Sequence, residues 1–214
     1  MNHAIILLAG EGKRFGKEDK SLTKINGCYM YEYILNTLLQ NKRIDTITLV
    51  VKKSNIEKFG NLIAKINSNK LINVVAGNKT HRMVSLSLGF SSIKRSANDI
   101  IITLDGDRPF VSNKLINKSI DIAKNHGFST ACLPVYDSII QSTKYVDRKL
   151  YQIIQTPQSF VAKRVNKNYK KDKSDLVSCM GWSLKRENLF VGEHINFKIT
   201  TQEDLLLAKK IIPW

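Results

Sequence analysis

The chain reads as an α/β protein, a mostly parallel twisted sheet with helices on both faces. Three observations carry that expectation. Short apolar runs alternate with amphipathic stretches as far as Pro134. The first run, Ile5-Ile6-Leu7-Leu8-Ala9, breaks abruptly into Gly10-Glu11-Gly12-Lys13-Arg14-Phe15-Gly16. A later run, Ile100-Ile101-Ile102-Thr103-Leu104, ends in Asp105-Gly106-Asp107-Arg108. In open parallel sheets ligands bind beyond the carboxyl ends of strands, and both polar loops stand at such ends.

Strands are expected at 4–9, 46–51, 72–76, 100–104 and 129–134, where continuous apolar runs suit a sheet covered on both faces. Between them, 31–40, 55–66, 83–93 and 113–125 place apolar residues at helical spacing. Ser112 suits the N-cap of the last of these helices, and Gly127 suits its stop. Beyond Pro134 the rhythm changes. Residues 136–152 are polar and β-capable and read as a projecting hairpin. Residues 161–171 read as a basic helix and 195–200 as a further strand. Thr201 then opens a helix over 202–212, with Asp204 placed for a capping box. The expected organisation is one domain over 1–214 with a β-arm at about 136–153.

Composition narrows the function classes. Hydrophobic residues make up 43% of the 214, as in soluble globular proteins, and no run approaches the ~20 apolar residues of a membrane span. The start of the chain enters a strand at once, without a signal-peptide layout. Cys28, Cys132 and Cys179 are scattered without metal-ligand spacing and fit a reducing cytoplasm. The net charge of +16 suits a polyanionic partner. Nucleic acid is not the expected one. The lysines are spread along the chain, dense only over 163–173, and no aromatic residues interleave with a basic groove.

The first loop can be sorted by spacing. A P-loop has four residues between its glycine and the Gly-Lys-Ser/Thr end. Here Gly16-Lys17 is followed by Glu18, so no hydroxyl is offered to Mg²⁺. A dinucleotide fingerprint needs a third glycine where Phe15 stands, and only a relaxed match through Gly16 survives. That reading would also need an acid after the second strand, which ends in Lys52-Lys53 and at best suits a 2′-phosphate, as in an NADP-dependent oxidoreductase. A polar surface turn is the plain alternative. The loop Gly77-Asn78-Lys79-Thr80-His81-Arg82-Met83-Val84-Ser85 offers backbone groups at a second helix N-terminus. Asp105 and Asp107 are hard oxygen ligands of the kind Mg²⁺ takes beside substrate phosphates, or a locally paired turn with Arg108.

In order, LAGEGKRFG with Lys20, GNKTHRMVS, LDGDRPF, PVYDS, DRKLYQIIQTPQSF, SDLVS and NFKITTQEDLLLA resemble the 2-C-methyl-D-erythritol 4-phosphate cytidylyltransferase family, which includes ribitol-5-phosphate cytidylyltransferases. The likeness runs from about Ile5 to Ile212, and the TPQ segment and the K-I-T-x-x-E-D-L ending are its most specific parts. It implies a Rossmann-like fold of the nucleotidyltransferase type and a CDP-alcohol made from CTP and a sugar-alcohol phosphate with loss of pyrophosphate, in isoprenoid precursor synthesis. It further implies Mg²⁺ or another divalent cation, and a homodimer sharing sites through the arm. By resemblance, the backbone from Ala9 through Gly10 to Gly12 holds the nucleotide, and Arg14 and Lys20 hold the triphosphate and the pentavalent phosphorus. Gly77 and Ser85 match the base-recognition loop. Asp105 matches the aspartate near Mg²⁺, and Arg108, Thr156, Ser174 and Lys198 match the pocket of the second substrate's phosphate. Ser138 and Arg148 match residues of an arm that reaches a partner subunit.

The chain departs from the family pattern in several places. The family usually has His-Asp-Ala-Ala-Arg-Pro where this chain has Leu104-Asp105-Gly106-Asp107-Arg108-Pro109. Asp107 is therefore an extra acid, either a second metal ligand or a charge that weakens phosphate binding. The loop after Gly77 is one residue longer, the arm is short, and Leu176 replaces the usual acid after Asp175. Methylerythritol phosphate is the expected alcohol and ribitol phosphate the alternative.

Overall fold

Seven strands form the main sheet, in the order β11-β7-β10-β6-β1-β4-β5. A computed structural model describes residues 1–12, 14–15, 19–165, 173 and 176–211. In chain order the elements are β1 (Asn2–Leu7), β2 (Lys24–Ile25), β3 (Cys28–Tyr29), α1 (Met30–Gln40), β4 (Thr46–Val51), α2 (Ile56–Ile63), β5 (Leu71–Ala76), α3 (Arg82–Ser91) and β6 (Ile100–Asp105). There follow α4 (Asn113–His126), β7 (Phe128–Pro134), β8 (Ile139–Gln141), β9 (Lys144–Val146), β10 (Gln152–Val161), α5 (Leu176–Met180), β11 (Leu189–Val191) and α6 (Gln202–Ile211). β10 pairs antiparallel with both β6 and β7, whereas the remaining pairings of this sheet are parallel. This is the mostly parallel α/β sheet expected from the sequence.

Strand alternation explains why helices cover both faces. Ala4 and Ile6 of β1 point to one side, with Ile47 and Leu49 of β4 and Ile100 and Ile102 of β6, and pack under α1, α2 and α4. Ile5, Val50 and Ile101 point to the other and pack under α3 and α5. The helix ends follow local chemistry. Ser112 Oγ accepts from Leu115 N at 3.0 Å, and Gly127 closes α4 at φ 88°, as expected from both residues. α1 lacks a glycine stop; instead the Lys70 ammonium donates to the carbonyls of Leu38 and Asn41. Thr201 Oγ1 accepts from Asp204 N, and Asp204 Oδ2 accepts from Thr201 N at 2.8 Å, closing the expected capping box of α6.

Two expectations are corrected. Residues 195–200 form no strand. Their main chain is held by a turn at Asn196 and by Ile199 N donating to Asp107 O at 2.9 Å, so the apolar alternation there reflects anchoring rather than a ladder. Thr156-Pro157-Gln158 lies in the middle of β10. The ladder with β7 slips between Gln155 and Gln158, which lets a residue without an N–H sit inside a strand. The expected basic helix over 161–171 is replaced, where described, by the end of β10 and a 3₁₀ turn at Ala162–Arg164; 166–171 lie outside the described residues.

After Pro134 a short hairpin, β8 with β9, turns through Ser142 at φ 58°. A 3₁₀ turn at Arg148–Leu150 then leads into β10. This is the small β-arm.

Candidate active site

Four segments meet at the carboxyl ends of β1, β6 and β5. The residues after β1 run along the floor, Asp105 to Asp107 leave β6, the loop before α3 forms one wall, and Lys198 with Thr200 closes the other. The space between them is about 400 Å³. Gly12 has φ 66°, and a Cβ there would stand 3.1 Å from the Lys20 side chain, so glycine lets the loop lie against the lysine stem. Phe15 is buried with Ile25, Met30, Ile199 and Leu205, and its carbonyl accepts from Gln202 Nε2 at 2.9 Å. The start of α6 is thus tied to the loop.

Lys20 is fixed from below. Asp19 caps the 3₁₀ turn Lys20–Leu22 and accepts from Ser21 N, from Asn55 Nδ2 at 2.8 Å and from Lys52 Nζ at 3.0 Å. Burial works to raise the Asp19 carboxyl, yet the hydrogen bonds from Asn55, Lys52 and Ser21 outweigh it and hold the group below its ordinary value. The Lys20 ammonium projects into the cleft and meets Asp107 Oδ2 at 2.6 Å.

Asp105 is the electrostatic centre. Its Oδ1 accepts from Arg82 Nε at 3.0 Å and Nη2 at 2.8 Å; its Oδ2 faces Lys198 Nζ at 3.3 Å and Arg108 Nε at 3.6 Å. Burial alone would push this carboxyl up, but Arg82, Lys198 and Arg108 together hold it far below the usual carboxylate range. Asp105 N donates to Thr156 Oγ1 at 3.1 Å. Lys198 Nζ also lies 3.5 Å from Asp107 Oδ1.

The α3 loop is built by its own side chains. Asn78 Oδ1 accepts from Thr80 N, Thr80 Oγ1 and His81 N. Ser85 Oγ accepts from Asn78 N at 2.9 Å and donates to Asn78 O at 2.8 Å. Gly77 is where this loop crosses the sheet: a Cβ would collide with Ala9 Cβ at 2.6 Å and Val50 Cγ1 at 2.7 Å. It also lines a neighbouring hollow with Lys52 and Lys53.

Of the residues singled out from sequence, Ala9, Gly10, Gly12, Arg14, Lys20, Ser85, Asp105, Asp107 and Lys198 line one cleft, and Gly77 borders it. Arg14 is exposed at the mouth. Arg108 is not on the cleft wall. It is buried, its Nη1 donating to Asn196 O at 2.9 Å and its Nη2 to Ile154 O at 3.4 Å, so it staples β10 and the Asn196 turn beneath Asp105. Thr156 likewise sits under Asp105 rather than in the open space. Ser138 and Arg148 are exposed on the arm, where Arg148 Nη1 donates to Tyr136 O. Ser174 and Gly16 lie outside the described residues.

A family profile described as 2-C-methyl-D-erythritol 4-phosphate cytidylyltransferase matches residues 2–213. The chain belongs to this cytidylyltransferase family. A relative of that name from Clostridium tetani is 34% identical over 99% of this chain and 90% of its own length. Another, from Clostridioides difficile, is 32% identical over 99% and 94%. A solved 4-diphosphocytidyl-2C-methyl-D-erythritol synthase from Anaerococcus prevotii superposes with a TM-score of 0.80 at 27% identity, covering 99% of this chain and 97% of that one. A dinucleotide-dependent oxidoreductase is thereby set aside. Lys52, which would have met a 2′-phosphate, instead bonds Asp19.

Within this cytidylyltransferase fold, sequence reasoning missed Arg82. It stands in the first turn of α3, where the helix dipole disfavours a cation, so an arginine there signals use by something other than the helix. Asn196 was missed too: fully buried, it accepts from Arg108 and donates to Thr156 O at 2.8 Å.

Proposed function

We propose that this chain joins CTP and 2-C-methyl-D-erythritol 4-phosphate, releasing pyrophosphate. A phosphate oxygen of the alcohol attacks the α-phosphorus, a new P–O bond forms, and the α–β bridging oxygen leaves with pyrophosphate. The observation that carries the reading is the convergence of Lys20, Arg82, Lys198 and Arg14 on the cleft around Asp105, in a chain of this family. The nucleophile is already anionic, so the site needs no strong general base. Its work is to bring two anions together and spread the charge of the transition state, which fixed cations do at little reorganisation cost.

In this reading the backbone from Ala9 to Gly12 receives the phosphates, while Gly77 and the Asn78–Ser85 bonds shape the base subsite. Arg14 and Lys20 hold the triphosphate. Asp105 keeps Arg82 and Lys198 aimed at the incoming alcohol phosphate, and Arg108 and Thr156 hold Asp105 from behind. Among the described residues no group of three or more acids, histidines or cysteines could hold a metal ion. Asp107 Oδ1 is buried and accepts no hydrogen bond, and its chemistry suits a hard cation. Mg²⁺ would thus be held by nucleotide phosphates with Asp107 and Asp105, and would supply further neutralisation of the triphosphate.

A homodimer built through the arm is part of the proposal. Support comes from Tyr136, Ile140, Tyr145, Leu150 and Ile153, all exposed on or beside the arm. The cytoplasm is the proposed location, supported by the free thiols of Cys28, Cys132 and Cys179. No helix among the described residues is long and apolar enough to cross a membrane.

The test is pyrophosphate release from CTP and Mg²⁺ with a panel of alcohol phosphates. Turnover with methylerythritol phosphate is expected; turnover with ribitol phosphate alone would replace the alcohol, and none with either would overturn the reading.

A further inference from the structure

Asp107 stands where the family pattern has alanine, and in the structure it does something an alanine could not. Its Oδ2 receives the Lys20 ammonium at 2.6 Å, and its Oδ1 lies 3.5 Å from Lys198 Nζ. The pair is largely out of water, with side-chain exposures of 12% for Lys20 and 18% for Asp107. Its main chain is equally committed, Asp107 O accepting from Ile199 N at 2.9 Å. The carboxylate is therefore held in place, and the lysine is drawn to it.

Resting on the proposed cytidylyl transfer, we infer that Asp107 is a built-in competitor of the nucleotide's polyphosphate. In the resting site its carboxylate occupies the position of a phosphate oxygen on Lys20. An entering triphosphate has to take Lys20 from Asp107, and a departing pyrophosphate gives it back. Such a pair keeps the lysine ordered and neutralised between turnovers, since a partly buried ammonium without a counter-ion is costly. It also lowers affinity for any polyphosphate by the fraction of molecules in which Lys20 is already engaged. The consequence for the reaction falls on both ends of the nucleotide's stay: weaker capture of CTP and faster escape of pyrophosphate. Asp105 plays no such part, because Arg82, Lys198 and Arg108 share it and Lys20 does not touch it within the ion-pair contacts described.

The test measures binding of inorganic pyrophosphate and of CTP, each in excess EDTA, to the full chain and to Asp107→Ala and Asp107→Asn. Both variants keep the backbone carbonyl that anchors Ile199, and the asparagine keeps the volume. The expected result is about tenfold tighter pyrophosphate in both variants, the size expected if Lys20 is released from Asp107 in about a tenth of resting molecules. In a Lys20→Ala background the gain from Asp107→Ala should vanish, because the two residues act as one unit. Unchanged or weaker pyrophosphate binding in both variants overturns the inference. So does a gain that persists without Lys20, which would make Asp107 a general repulsive charge. Failure of the parent chain to bind CTP while it binds pyrophosphate would instead refute the nucleotide reading, and leave the Asp107 comparison decisive on its own.

Discussion

In the cleft, Asp105 meets Arg82, Lys198 and Arg108 within 3.6 Å, whereas on the arm Tyr145 and Leu150 leave 80% and 81% of their surface in solvent. The cleft sets its carboxylates against cations; the arm leaves large apolar side chains in solvent. Ordinarily a protein does the reverse, covering apolar groups first. Lys20, Arg82 and Lys198 stay ordered because they oppose Asp105 and Asp107, so this part of the site is pre-arranged before any ligand arrives. The arm has a small hairpin of its own and lacks the three or more strands that stand alone in water. The contrast separates what one chain finishes by itself from what a second surface would finish.

The sharpest break comes from the cleft. Lys20→Ala should lower turnover by about 10²–10³-fold, the loss typical of one preorganised electrostatic donor. Its melting temperature should move by no more than about 4 °C, because the ammonium contributes charge rather than core packing. A large stability loss with modest loss of rate, by calorimetry and initial rates, would make Lys20 structural. Next, replacing Leu150 and Ile153 together by Asp should convert a dimer into a monomer in light scattering. Turnover should fall at least about tenfold while CTP affinity is kept, since charges at an interface core are strongly disfavoured. Loss of CTP binding in this variant would erase the division between the two regions.

Arg148→Ala sharpens the comparison more gently. We expect about a tenfold rise in KM for the alcohol phosphate, as for one lost charge-assisted hydrogen bond, with the CTP dissociation constant unchanged. Equal losses for both substrates would remove Arg148 from the alcohol subsite. The smallest effect is expected at Asp19, below Lys20. Asp19→Asn should cost about 1 kcal/mol at neutral pH. Because the folded carboxyl is held below its ordinary value, that stabilisation is present above about pH 4 and fades as the pH falls through the folded-state value. Denaturation of both proteins at pH 7 and pH 3 should therefore show the gap closing in acid. A gap that widened would mean the carboxyl is destabilising.

How much of this was legible beforehand depends on what each segment buries. β1, β4, β6 and β7 were plain in sequence because a parallel strand covered on both faces must be a continuous apolar run. β10 was hidden because its interior is polar. Gln158 Nε2 donates to Thr130 Oγ1 and Gln155 Nε2 to Glu193 O and Asn196 O, so glutamines do there what Val and Ile do elsewhere. The segment around Lys198 misled in the opposite direction, its Ile195, Phe197 and Ile199 alternating like a strand while its main chain bonds to Asp107. For the site, glycine-and-cation loops at strand ends pointed to Lys20 and Asp105 directly. Arg108 and Thr156 could be named but not placed, because whether a polar residue faces the cleft or supports it from behind depends on tertiary contacts.

One strand joins the two regions. β10 leaves the arm at Gln152, and within it Thr156 receives the Asp105 amide while Ile154 receives Arg108. A twist applied to the hairpin would thus reach the carboxylate along β10, across the 3₁₀ turn that joins the two. A neighbour gripping the arm would set the posture of the reaction centre as well as its surroundings, and changes at the rim of such a contact would register in catalytic speed long before the partners came apart.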